Sequence, residues 1–297
     1  MSRPVPDPNL FDTITNLTTE EMIGLLGWQA SPGLRWAAAH LLHSGTRRFA
    51  RHAVNYDGRV LKMGWWAANR LAIRAYTHSL EVCGAEHIPQ EGPLLIASNH
   101  PGIFDFMAIS AACGREDLRI LAYSRPFLRS LPGVDAHMIY LSHETDNRMR
   151  ALIEINRDLR NGHAVLIFPA GVSEPDPSCL PGAVESLENW QASLALILRR
   201  APTTQVIPTL VSGVFWPPAF NLGPIRRRPS VRERIRMGGT LQVMWLTATG
   251  HPTADVRVAF GAPLCGEDLL QAGNAETILE TIRQQMRSLI QALPKSN

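Results

Sequence analysis

The sequence predicts an α/β fold, with a mostly parallel or mixed central sheet flanked by helices and preceded by an N-terminal helical pair. Two observations predict it. Short apolar runs bounded by turn residues alternate with longer runs at helical spacing: Leu94–Ala97, then Phe106–Ala112, then Leu118–Tyr123 and His137–Leu141, then Met149, Leu152, Ile155 and Leu159, then Ala164–Phe168. That order of strand, helix and strand gives an α/β layer whose strands run largely parallel. In addition, 45% of the 297 residues are hydrophobic, enough to bury a large core.

From the N-terminus, Thr18-Thr19-Glu20-Glu21 reads as a helix start, followed by Met22, Ile23, Leu25, Leu26 and Trp28 until Ser31-Pro32-Gly33 interrupts. Leu34–Leu42 resumes the helical run. A second helix is expected from Arg59 to Tyr76. At about 100° per residue, Leu61, Trp65, Ala68, Ala72 and Tyr76 share one face, with Arg59, Lys62, Arg70, Arg74 and Trp66 opposite. This is either an ordinary amphipathic helix or one lying at a lipid headgroup layer. Segment 1–78 is read as this helical, membrane-interface unit and 79–297 as the main domain.

Leu94-Leu95-Ile96-Ala97 reads as a buried strand, and the chain breaks at Pro101-Gly102 before the next helix. The break places His100 and Asp105 on either side of a turn, whereas residues five apart on one helix diverge by roughly 140°. A carboxylate bonded to one imidazole nitrogen fixes the tautomer and steadies the charge when the other nitrogen takes a proton. Two readings fit the spacing. His100 is a general base oriented by Asp105, or His100 fills a strand end while Asp105 is a first-turn acid of the helix.

Farther on, Asp146-Asn147 is expected to cap the helix that ends at Asn161-Gly162. Ala183–Arg200 reads as one long helix with Leu187, Trp190, Leu194 and Leu198 on a face, and Val206–Val211 as a strand. Phe215-Trp216-Pro217-Pro218 looks too proline-rich for regular structure. Arg226-Arg227-Arg228, Arg232, Arg234 and Arg236 form the densest charge cluster, read as a solvated loop or as a patch for anionic lipid or donor phosphates. Leu241–Leu246 and Val256–Phe260 are expected as late strands, and a helix carrying Ile278, Ile282, Leu289 and Leu293 closes the chain.

Asn99-His100 with four residues to Asp105 resembles the first signature block of the glycerolipid acyltransferase superfamily, the lysophosphatidate acyltransferase-like enzymes. Val165-Leu166-Ile167-Phe168-Pro169-Ala170-Gly171 resembles that family's Phe-Pro-Glu-Gly block, and Val206-Ile207-Pro208 through Gly213 its next strand. The ordered set, spanning roughly 79–293, is more specific than any member. The resemblance implies His100 and Asp105 as the catalytic pair. It implies substrate contacts from Asn99, Arg125, Arg148, Pro169, Gly171 and Ser173, of which Arg148 falls out of the family's register. It also implies a reaction without cofactor or metal, in which acyl-CoA or acyl carrier protein is co-substrate and a lysolipid is acceptor. Ala170, Val172 and Ser173 replace the family's glutamate, threonine and arginine, so the acceptor is expected to differ. The alternative is a non-catalytic lipid-binding relative.

Composition sets the remaining limits. Only Lys62 and Lys295 are lysine, leaving 27 of 29 basic residues as arginine, and the net charge is +3. No nucleic-acid motif accompanies that charge, so no nucleic-acid partner is expected. Cys83, Cys113, Cys179 and Cys265 lack metal-ligand spacing, which points to a reducing compartment and no metal site. His137 and His143 near Glu144 and Asp146 read as a polar loop. With no signal-peptide pattern and no run of about 18 apolar residues, the chain is expected to sit peripherally on the cytoplasmic face of a membrane.

Overall fold

The computed structural model describes residues 9–26, 31–102, 104–141 and 145–294. Three helices come first: α1 (Leu10–Leu26), α2 (Pro32–Met63) and α3 (Trp65–Ile73). The sheet layer follows as β1 (Thr77–Cys83), β2 (Leu94–Ser98), α4 (Asp105–Cys113), β3 (Arg119–Tyr123), the short α5 (Pro126–Arg129) and α6 (Pro132–Asp135), β4 (Met138–Leu141), α7 (Thr145–Arg160) and β5 (Ala164–Ile167). Next come α8 (Ala183–Ser186), α9 (Ser193–Arg200) and β6 (Gln205–Ser212), then α10 (Pro217–Asn221), α11 (Gly223–Arg226) and α12 (Val231–Thr249). The chain closes with β7 (Ala254–Phe260), β8 (Leu264–Cys265), α13 (Gly266–Ala272) and α14 (Ala275–Gln291).

The strands form one mixed sheet in the order β1-β7-β6-β2-β5-β3-β4, with β8 paired on β6. From β6 to β4 every neighbour is parallel, while β7 runs antiparallel to β6 and carries β1 parallel to itself. The expected mixed α/β sheet is therefore present. Central β2 is buried on both faces, as a parallel strand covered by helices must be. Leu94 and Ile96 join the core under α2, α3 and α4, while Leu95 and Ala97 join the core under α7, α9 and α14. These two cores, one per sheet face, hold the strand ends in a fixed register: Ala97 lies beside Ile167 of β5 and Pro208 of β6.

Several elements differ from expectation. Helix α1 begins at Leu10, because Leu10 and Ile14 already bury a face; Thr18–Glu21 lies inside the helix, where the Thr19 hydroxyl donates to the Thr15 carbonyl and to Thr46 Oγ1. Pro32 occupies the first turn of α2, which runs unbroken to Met63. The expected 59–76 helix is split at Gly64, whose φ of +90° ends α2. Trp65, Ala68, Ala72 and Tyr76 are buried as expected, but Leu61 on the other side of the break is exposed. Trp66 is not presented outward: its indole N–H donates to the Ala111 carbonyl at 3.0 Å, and Arg70 lies over its ring.

Residues 241–246 are helix, not strand. Ser230 caps α12 by accepting from Glu233 N, and Gly238, Gly239, Gln242 and Leu246 are buried at helical intervals. Gln242 is fixed by Trp216 N, Val214 O and Thr253 Oγ1, bonds that only a helical face can gather. Of the arginine cluster, Arg226 ends α11 and Arg232, Arg234 and Arg236 lie on α12, while Arg227 and Arg228 sit in the connection between the two helices. Pro217 starts α10 where an irregular stretch was expected, since proline suits the first helical turn. His137 stacks on Trp65, while the loop with His143 and Glu144, and the side chains of Asp146 and Asn147, lie outside the described residues.

The expected 183–200 helix breaks at Trp190–Ala192, leaving α8 and a 3₁₀ turn (Leu187–Asn189) before α9. Trp190 is extended, with ψ of 131°. The carbonyls freed by the break are collected by the buried Arg283 of α14, which donates to Leu187 O, Glu188 O and Trp190 O. A guanidinium with donors in a fixed fork can replace the helical partners of three carbonyls, which local propensity cannot foresee.

Candidate active site

The parallel strands put the C-terminal ends of β2, β5 and β6 along one edge of the sheet, where open α/β folds bind ligands. The segment after β2 turns at Gly102, whose φ of +102° is open to glycine but strained for other residues. Asp105 then opens α4 and points back. Its Oδ2 accepts from His100 Nδ1 at 2.7 Å and from Gly102 N at 2.8 Å, and its Oδ1 accepts from Phe106 N at 2.6 Å. The carboxylate is buried at 2% exposure, whereas a third of the His100 side chain is exposed. With Nδ1 committed to Asp105, no protein hydrogen bond to Nε2 occurs among the described residues. The turn thus gives a base-like imidazole with its partner fixed behind it.

The loop after β5 completes the surroundings. The Phe168 ring stacks on the imidazole with centroids 4.3 Å apart. Gly171, with φ of +66°, folds back so that its N–H donates to Phe168 O. Ser173 is exposed, and its Oγ lies 3.9 Å from where a side chain on Gly102 would begin. Pro169 is buried, its carbonyl accepting from Gln191 N.

Glu174, four residues past Ala170, packs against the His100 peptide. It is 1% exposed, and its Oε2 accepts from His100 N at 2.9 Å while its own N–H donates to His100 O at 2.8 Å. Oε1 accepts from Trp190 Nε1 at 2.9 Å and Ser186 Oγ at 3.0 Å. Burial pushes this carboxyl up to about 7, against the hydrogen bonds that favour its charge. For His100, burial disfavours the charged ring, but Asp105 by charge and hydrogen bond, with Glu174 by charge, outweighs it and raises the pKa above 6.5. Buried Asp176 ties the same loop to the end of β6, accepting from Ser178 N and Oγ, Gly213 N and Phe215 N.

The remaining predicted residues are distributed as follows. Asn99 is buried and uses both ends of its amide on Val211, its Nδ2 donating to the carbonyl and its Oδ1 accepting from the N–H. The amide thereby locks β2 to β6, as hydrogen bonding in a buried site demands. Arg125 follows β3, exposed, on the same sheet edge but two strands from β2, about 10 Å away at normal strand spacing. Arg148, exposed on the first turns of α7, follows β4, one strand farther out. Neither touches His100. Sequence reasoning placed Trp190 only on a helix face and did not single out Asp176; the only signal was an acidic pair, Glu174 and Asp176, each followed by a proline, in a loop next to a signature block. Among the described residues no group of three His, Cys, Asp or Glu side chains could hold a metal ion.

Residues 79–212 match the family model described as Acyltransferase. No curated protein matches the chain. Among solved structures it is similar to the 1-acyl-sn-glycerophosphate (LPA) acyltransferase PlsC from Thermotoga maritima, at 16% identity and a TM-score of 0.45 over 97% of each chain. The matched segment runs from β1 to the last residue of β6 and contains the Asn99–Asp105 and Val165–Gly171 blocks and all but Gly213 of the third. The likeness to the Acyltransferase family thus extends over residues 79–212, which carry His100, Asp105 and the loop after β5.

Proposed function

We propose that the chain moves a fatty acyl group from a thioester donor, acyl-CoA or acyl carrier protein, to the hydroxyl of a lysophospholipid or related lipid acceptor, with His100 as general base. The observation that carries this reading is the 2.7 Å bond from a buried Asp105 carboxylate to Nδ1 of a part-exposed His100. The acceptor hydroxyl gives its proton to Nε2 as its oxygen adds to the thioester carbonyl. Collapse breaks the C–S bond, and the leaving thiolate takes the proton from the imidazolium. Asp105 holds the tautomer and offsets the transient positive charge. Ser173 and Gly171 beside His100, with Arg125 and Arg148 along the same sheet edge, line the acceptor's approach.

We also assign residues 1–78 to a membrane interface. Leu34, Trp36 and Leu41 on α2 are 49, 66 and 75% exposed, and Trp245 and Leu222 add apolar surface on and beside α12, next to the arginine cluster. Aromatic and aliphatic groups bordered by arginines suit a headgroup layer. No helix among the described residues is long and apolar enough to cross a membrane. Co-sedimentation with anionic liposomes at low salt is expected, and its absence refutes this assignment.

The test of the reaction is His100→Ala. With acyl-CoA, acyl carrier protein thioesters and a lysolipid panel, mass spectrometry is expected to find acylated lipid from the wild type and none from the variant. Unchanged turnover in H100A refutes the reading, and lipid binding without any thioester cleavage by the wild type favours a binding protein instead.

A further inference from the structure

Glu174 is a buried carboxylate without a basic partner: none of the ion pairs among the described residues includes it. Such a charge is costly to bury, and an amide or apolar residue would fill the same space more cheaply. Three features show how this one is used. Its Oε2 and its own N–H grip the N–H and C=O of His100, a two-point clamp on the peptide that carries the imidazole. Its Oε1 is held by Trp190 and Ser186, so the clamp is anchored in the interrupted helix segment that Arg283 supports. The charged groups acting on it and on His100 are Asp105 and these two residues themselves.

We propose, resting on the acyl-transfer reading, that Glu174 is a positioning residue for His100, clamping its peptide and supplying a second negative charge for the imidazolium formed when His100 takes the acceptor's proton. Asp105 sets the ring through Nδ1, while Glu174 sets the backbone from the opposite side of the same residue. The proton never passes to Glu174, which stays an acceptor throughout. The loss of the acid at position 170 therefore does not leave the histidine with a single carboxylate. The shift of the Glu174 carboxyl to about 7 implies that this second negative charge is lost as pH falls below neutrality.

Glu174→Gln keeps the size and leaves a carbonyl for Trp190, but turns an amide toward the His100 N–H. We expect kcat to fall about 10- to 100-fold with the KM for the thioester nearly unchanged. The ring titration of His100, followed by histidine NMR and identified by its absence in H100A, is expected to move to lower pH once the second negative charge is gone. A folded E174Q with wild-type kcat and an unmoved titration overturns the proposal. If E174Q does not fold, Ser186→Ala decides: it removes one donor from Oε1, raises the Glu174 pKa, and is expected to move the acid limb of kcat to higher pH, and an unmoved limb overturns the proposal. If the wild type transfers no acyl group, the functional reading fails separately, while the NMR titration still tests the electrostatic link.

Discussion

Asp105→Asn tests the proposed mechanism most directly, because it changes one oxygen and little volume. In the wild type the carboxylate accepts three hydrogen bonds, from His100 Nδ1, Gly102 N and Phe106 N. An asparagine offers one acceptor oxygen. If that oxygen stays on Phe106 N, its amide group faces both the Gly102 N–H and the imidazole. The Gly102 donor is then unpaired, at a stability cost of about 1–3 kcal/mol. The imidazole, meeting a donor instead of an acceptor, is pushed to the tautomer protonated on Nε2, which is the nitrogen that should receive the proton. The transition state also loses the charge facing the imidazolium. Taking about 2–4 kcal/mol for the lost charge-assisted bond and counter-charge together gives a fall in kcat of roughly 30- to 1,000-fold. The assay is thiol release from an acyl thioester with acceptor present, beside a thermal melt that fixes the folded fraction. A folded D105N whose turnover stays within about threefold of the wild type would refute the idea that this carboxylate sets the imidazole for catalysis.

Three further outcomes are expected. Acyl transfer should rise with pH along a limb whose midpoint lies above 6.5, since the His100 pKa is raised and the base must be neutral; a midpoint well below 6.5 in a kcat profile argues against His100 as that base. Asn99→Ala should lower stability by about 2–4 kcal/mol in denaturant titration, because it leaves both the N–H and the carbonyl of Val211 unpaired in a buried site; a loss within the error of the titration would mean that water or backbone movement replaces those bonds. A carboxyl raised from 4.5 to about 7 on folding binds its proton more tightly when folded, so its contribution is present below pH 4.5 and is lost as pH rises toward 7. Relative to Glu174→Gln, the wild type should therefore lose about 3 kcal/mol between pH 4 and pH 8, and parallel stability curves for the two proteins would contradict a buried, uncompensated Glu174.

Local sequence determined a large part of this protein. Alternating apolar runs announced the strands of the parallel sheet from β2 to β6, because buried strands need continuous apolar residues whatever lies around them. Glycine and proline marked where β2 must end and α4 begin, and so placed His100 and Asp105 across one turn. The order of signature blocks pointed to the same likeness that the Acyltransferase family model finds over residues 79–212. The tertiary structure decided what depends on partners distant in sequence. Whether Leu241–Leu246 is strand or helix turned on a face, Gly238 through Leu246, that packs against α10 and the 214–216 turn. Whether Ala183–Arg200 runs straight turned on Arg283, more than 80 residues downstream, which takes up the carbonyls that a break exposes. The bond between the Asn99 amide and Val211 exists only because β6 lies beside β2, and the Glu174 contact with the His100 peptide only because the loop after β5 folds against it. Spacing fixes which groups can meet within one turn, whereas the partner of a buried polar group is chosen by whichever distant segment can satisfy it after the core has closed.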